Sequence, residues 1–112
     1  MISERTEGKI KERMNNETII RAVGEWEDNK EDAIKKWGEI NDWDVSGVTD
    51  MSVLFHGFGE FNENISKWDT SNVVNMHGMF FEAYSFNQPL DSWDTSKVQS
   101  MDSMFWKAYS FN

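Results

Sequence analysis

The sequence contains no cysteine. Disulfide staples and thiolate chemistry are therefore excluded, and with them one marker of redox compartment. Histidine is scarce: His56 and His77 are the only two, at a spacing that fits neither a metal box nor a catalytic pair. There is no glycine-rich phosphate loop. No stretch approaches the ~20 apolar residues of a membrane span, and the N-terminus lacks the apolar run a signal peptide needs. Basic residues are few, 11 Lys and Arg against 20 Asp and Glu, for a net charge of −9. An acidic surface disfavours phosphate backbones and anionic membranes, so neither nucleic-acid binding nor membrane insertion is expected. With these chemistries set aside, the expectation is a chain that is not an enzyme, with no cofactor and no metal.

What the sequence does have is large apolar side chains and repetition. Of 38% hydrophobic residues, much is concentrated in Trp 6, Phe 8 and Met 7. At 112 residues the chain is one domain by length. The segment Trp68–Asn87 returns as Trp93–Asn112 with thirteen of twenty positions identical, and a more diverged copy starts at Trp43. Roughly one identity would arise by chance. A fixed period of 25 residues is the mark of units that each stack on the last. The expected fold is therefore α/β: a short right-handed solenoid of leucine-rich-repeat type. Each coil is expected to hold one short parallel strand and one short helix, behind an N-terminal helical cap.

The chain divides accordingly. Residues 1–14 are charged and polar and are expected to be a flexible leader. Residues 15–39 read as the helical cap. Asn15 and Asn16 are good N-caps, Ile19, Ile20, Val23 and Trp26 form a helical face, and Asn29 can cap a second helix ending at Gly38. The repeats occupy 40–112, with coils starting near 40, 65 and 90 and the last one incomplete. The segments 65–68 and 90–93 are the expected strands. Asp50, Asn75 and Ser100 are expected to N-cap short helices whose faces are Met76, Met79, Phe80 and Ala83, and Met101, Met104, Phe105 and Ala108. The last coil, which stops at Asn112, is expected to expose apolar surface and a strand edge.

Recurring positions sort into core, turn and contact candidates. The core candidates are Trp43, Trp68 and Trp93; Val48, Val73 and Val98; Met51, Met76 and Met101; Phe55, Phe80 and Phe105; and Phe61, Phe86 and Phe111. Trp at every repeat is explained by burial along the stack, since indoles are seldom left in water. Asp44, Asp69 and Asp94 read as Asx-type turns beside Ser46, Ser71 and Ser96 rather than as a calcium site, because no several-ligand spacing is present. Asn62, Asn87 and Asn112 read as an amide ladder bonding neighbouring backbone. His56, Phe81 and Trp106 share one position off the apolar face, with Glu82 and Lys107 beside them, and are the candidate binding residues. The variable pairs Lys67/Ser92, Asn72/Lys97 and His77/Asp102 could add specificity. Asn16-Glu-Thr and Asn64-Ile-Ser match the N-glycosylation triplet.

The pattern W-D-[VT]-S-x-V-x-x-M-x-x-[LM]-F-…-F-N closely resembles the 25-residue leucine-rich-like repeats of BspA-family surface proteins, which occur in bacterial surface lipoproteins and adhesins and have similar arrays in algal and giant-virus proteins. Eight positions carry it: Trp43, Asp44, Ser46, Val48, Met51, Phe55, Phe61 and Asn62 all recur in both later copies. The resemblance implies a protein-binding module displayed at a cell or virion surface, often for adhesion, with no catalytic residues. The expected function is thus protein–protein binding. Two alternatives stand beside it: a structural subunit docking, or self-associating, through its last coil, and a carbohydrate-binding module.

Overall fold

A computed structural model describes residues 12–112. Residues 1–11 of the expected leader lie outside the described residues. Its final residues, Arg13 and Met14, are fixed against the first repeat. Met14 is buried and its N–H donates to the Asp44 carbonyl at 2.8 Å, while Arg13 Nε donates to Ser46 Oγ at 3.1 Å.

Two helices follow, α1 (Asn16–Asp28) and α2 (Lys30–Trp37). Asn15 starts α1 with a reciprocal cap: its side chain accepts the Glu17 and Thr18 N–H groups, and the Thr18 hydroxyl accepts the Asn15 N–H. The buried stripe is Ile19, Ala22, Val23 and Trp26. Ile20, assigned to that stripe from spacing, is 63% exposed, because it lies about 100° round the helix from Ile19. Asn29 closes α1 and caps α2 by accepting the Asp32 N–H at 3.2 Å. Gly38 ends α2 at φ 85°, a value that favours glycine. The Trp37 indole N–H donates to Glu25 at 2.7 Å and ties the two helices together.

The expected α/β leucine-rich-repeat solenoid does not form. Beyond α2 the described residues contain one turn of 3-10 helix, Ile40–Asp42, and no strand. The predicted strands are tight turns instead, with Trp68 N–H bonded to the Ile65 carbonyl and Trp93 N–H to that of Leu90. The predicted repeat helices are absent as well. In an α-helix the Phe80 N–H would bond the Met76 carbonyl; here it donates to Met104 in the next layer at 2.8 Å. Alternate residues behave alike. Met76, Gly78, Phe80 and Glu82 donate outward to Ser100, Asp102, Met104 and Trp106, while Met79, Phe81 and Ala83 close turns onto Met76, Gly78 and Phe80. Each repeat is thus a layer of consecutive three-residue turns. Positive φ at Val53, Gly78 and Ser103, and again at Gly57, Glu82 and Lys107, breaks any helical run. Asp50 and Asn75 are Asx turns, accepting the Ser52 and His77 N–H groups, rather than helix N-caps. Single parallel bridges link Asp50 to Asn75 and Asn75 to Ser100, well away from the segments read as strands.

Rings run through the layers. Trp43, Trp68 and Trp93 stack at 6.3 and 6.4 Å, Phe55, Phe80 and Phe105 at 5.4 and 5.5 Å, and Phe61, Phe86 and Phe111 at 5.9 Å twice. The Trp68 and Trp93 indole N–H groups donate to the Ile40 and Ile65 carbonyls at 2.7 and 3.0 Å, so burial strands no polar atom there. Val48, Val73, Met51 and Met76 are fully buried beside the rings. The third layer is less covered. Val98, Phe105 and Phe111 are half-buried, and Met101, assigned to the core, is 44% exposed, since no other layer among the described residues covers it.

The upstream side of the first layer is closed by the helices. Trp26 meets Trp43 edge-on at 5.7 Å. Asn16 Oδ1 accepts the Thr49 and Asp50 N–H groups at 2.9 and 3.2 Å. One layer on, the equivalent N–H groups of Val74 and Asn75 bond the Thr49 carbonyl. The Asn16 amide oxygen therefore stands in for the carbonyl of a preceding layer.

Candidate functional site

Because each layer repeats the same turns, any side chain pointing outward recurs as a column. His56, Phe81 and Trp106 form one such column: His56 meets Phe81 edge-on at 4.9 Å, and Phe81 lies tilted on Trp106 at 4.7 Å. His56 and Trp106 are exposed and Phe81 is half-buried between them. The following residue in each layer adopts positive φ, at Gly57, Glu82 and Lys107. This left-handed turn swings the charged side chains back beside the rings. His56 Nε2 lies 3.6 Å from Glu82 Oε1, and Lys107 Nζ sits 4.4 Å over the Trp106 ring. All five candidate binding residues therefore meet on one lateral strip.

A second exposed column was missed from sequence. Tyr84 and Tyr109 stack at 5.6 Å and are 44% and 74% exposed. The identical Tyr in both later repeats was the available signal, read there only as part of a turn. The first layer has Gly59 at this position, where a Cβ would come within 3.3 Å of the Tyr84 ring. The two tyrosine rings stack face to face.

Other variable positions are used within the stack. Asn72 Nδ2 donates to the Ser46 carbonyl at 2.8 Å, Lys97 Nζ to Asn72 Oδ1 at 3.1 Å, and Ser92 Oγ to the Ser66 carbonyl at 2.8 Å. Lys67 pairs with Asp42. His77 and Asp102 are exposed.

Asp44, Asp69 and Asp94 each accept the N–H of the serine two residues on, at 3.0–3.1 Å. Asp44 and Asp69 also take that serine's hydroxyl at 2.6 Å. The hydroxyl first, and the N–H second, hold all three carboxyls below the usual range. Among the described residues no group of three or more His, Asp or Glu could hold a metal ion. Asn62 Oδ1 accepts the Asn87 N–H at 2.8 Å, and Asn87 Oδ1 that of Asn112 at 3.1 Å. Of the two glycosylation triplets, the Asn16 amide is spent on the first layer, with Nδ2 on Thr49 Oγ1 at 3.0 Å. Asn64 Oδ1 accepts the Ser66 N–H. Among the described residues no helix is long and apolar enough to cross a membrane.

The geometry defines a repeat protein built of stacked turn layers, whose distinguishing side chains stand on its outer face. A family model described as "Mycoplasma protein of unknown function, DUF285" matches residues 22–112, and the chain belongs to that family. It is a Mycoplasma-associated surface repeat family related to the BspA-like surface proteins. Neither a curated protein nor a solved structure matches the chain.

Proposed function

We propose that this chain is a non-catalytic recognition module that binds another protein through the lateral strip of His56, Phe81, Glu82, Trp106 and Lys107, in the setting of surface adhesion. The observation that carries this reading is the ring column itself. Large rings held rigidly at the surface, with charge on their flank, are the composition of interface anchors. Trp106 is half exposed although it stacks on Phe81. Removing that exposed ring surface from water is a driving force that only a partner can supply. Lys107 over the indole adds a charged group that an acidic or carbonyl-rich partner surface would satisfy.

The test is a binding array of cell-surface and matrix proteins probed with the chain and with the double variant Phe81→Ser, Trp106→Ser. The expected result is saturable binding to at least one protein, weakened at least tenfold by the variant. Far-UV dichroism and melting temperature should stay close to those of the parent. Binding that survives the double substitution would refute the assignment of this strip, and a large loss of stability would place both rings in the core.

A further inference from the structure

The second and third layers each carry an outward ring at two neighbouring corners. Phe81 is the second residue of the turn closed by the Ala83 N–H on the Phe80 carbonyl, and Tyr84 is the second residue of the next turn, closed by Phe86 on Ala83. Trp106 and Tyr109 hold the same places in the turns closed by Ala108 on Phe105 and by Phe111 on Ala108. The strip and the tyrosine column are therefore neighbours along the side of the stack. Little stands between them. Ala83 and Ala108 are turned inward, at 0% and 8% exposure, while Glu82 and Lys107 lie back against His56 and Trp106. The columns are open sideways, not at an end: Tyr84 belongs to the middle layer, with Gly59 and Tyr109 on either side of it, and is still 44% exposed.

The polar atoms of these rings are unmet. The indole N–H groups of Trp37, Trp43, Trp68 and Trp93 donate to Glu25, Gly38, Ile40 and Ile65. Among the described residues the Trp106 indole N–H and the Tyr84 and Tyr109 hydroxyls have no partner. Lys107 Nζ, 4.4 Å over the Trp106 ring, adds a further donor at the same place. Exposed rings with outward donors match a ligand that brings apolar bulk and free acceptors together. A helix, or a strand inside a sheet, spends its carbonyls on its own backbone. A polyproline II segment bonds none of its carbonyls internally, and its proline rings supply the bulk. The spacing agrees. The strip steps by 4.9 Å from His56 to Phe81 and by 4.7 Å from Phe81 to Trp106. Two such steps match one three-residue turn of polyproline II, about 9.3 Å, so a segment lying along the columns meets equivalent positions once per turn.

We propose that Phe81, Trp106, Tyr84 and Tyr109 together receive a proline-rich segment of the partner protein in the polyproline II conformation, with the Trp106 indole and the two tyrosine hydroxyls donating to its carbonyls. The proposal rests on the reading of the lateral strip as a protein-binding surface. It adds the tyrosine column to that surface and fixes the chemistry of the partner. Docking of a preformed extended segment between aromatic side chains costs little ordering of the ligand.

The experiment titrates the isotope-labelled full chain with decaproline, a neutral peptide that holds this conformation in water, and follows the Trp106 indole N–H resonance. The expected result is a saturable shift of that resonance. A decapeptide of alternating glycine and serine should bind at least tenfold more weakly. The triple variant Tyr84→Phe, Trp106→Phe, Tyr109→Phe keeps a ring at every position and removes the three ring donors. It should weaken decaproline at least tenfold by calorimetry and melt within a few degrees of the parent. Five outcomes would overturn the inference: no saturable shift, equal binding of the glycine–serine peptide, undiminished binding by the triple variant, shifts confined to the buried indoles, and an equal response to cellohexaose, which would make the columns a sugar site. If decaproline fails while Phe81→Ser, Trp106→Ser still loses a protein partner, only the proline inference falls. If decaproline binds while that double variant keeps the partner found on the array, the proline site stands and the strip's assignment to that partner falls.

Discussion

Val53 carries a β-branched side chain at φ 52°, and the next layer solves the same turn with Gly78 at φ 60°. A β-branched residue in the left-handed region is strained by about 1–2 kcal/mol, and Val53 is half exposed, so little packing offsets that cost. Val53→Gly is expected to raise stability by about 0.5–1 kcal/mol in urea melts. The reverse change, Gly78→Ala, should lower it by at least ~1 kcal/mol, because an added Cβ also comes within 3.2 Å of Val53 Cγ1. The aspartate column gives a second prediction at this scale. The Ser46, Ser71 and Ser96 hydroxyls and N–H groups hold the three carboxyls below their unfolded values. The folded chain then binds fewer protons than the unfolded one in the acid range. The stabilisation is fully present above the ordinary carboxylate pKa of about 3.9 and is lost as pH falls through the lower folded values. Melting temperature should drop as pH falls from about 5 to 3. Replacing Asp44, Asp69 and Asp94 together by Asn should flatten that limb, although Glu25, lowered mainly by the Trp37 indole N–H, will retain part of it.

At the scale of elements, α1 does two jobs: it buries Ile19, Ala22, Val23 and Trp26, and its first residue terminates the stack. Asn16 supplies Oδ1 to two N–H groups of the first layer and Nδ2 to Thr49 Oγ1. Asn16→Ala should cost about 1–2 kcal/mol by thermal or denaturant unfolding, since it removes acceptors without removing the donors. Asn16→Asp should keep most of that stability, because a carboxylate still accepts both N–H groups. The helices were legible because Asn15, Asn29 and Gly38 are local signals that act on their own neighbours. The repeat elements were not. Met76, Met79, Phe80 and Ala83 have helical spacing, yet turns closing over three residues also bring i and i+3 to one side. What decides between them is where the Gly78, Phe80 and Glu82 N–H groups go, and they go to residues 24 positions away. Side-chain periodicity carries no record of that choice. The positive φ at Val53, Glu82, Ser103 and Lys107 was equally hidden, because none of these is glycine. That His56, Phe81 and Trp106 line up was legible for a related reason. They share a repeat position, and 25-residue register places equivalent side chains in one column whatever the backbone between them does.

At the scale of the whole molecule, burial falls along the stack. Trp43 and Trp68 are 5% and 3% exposed and Trp93 is 8%, while Met101 is 44%. Trp68 is the central member, held between Trp43 and Trp93 with Phe55 5.9 Å away, and its indole N–H bonds the Ile40 carbonyl. Trp68→Ala should cost about 3–5 kcal/mol. That is a large share of the about 5–15 kcal/mol such a domain has, so the near-UV dichroism of the variant should be lost at a much lower temperature than that of the parent. Trp106→Ser, at a ring that faces water, should shift the melting temperature by only a few degrees. The same gradient orders local opening. The N–H groups of Met76, Gly78 and Phe80 donate across a covered junction, whereas those of Trp106, Ala108 and Phe111 close turns in the less buried third layer. Native-state exchange should therefore be slowest at the former and fastest at the latter. Uniform protection across all three layers would mean instead that they open as one unit.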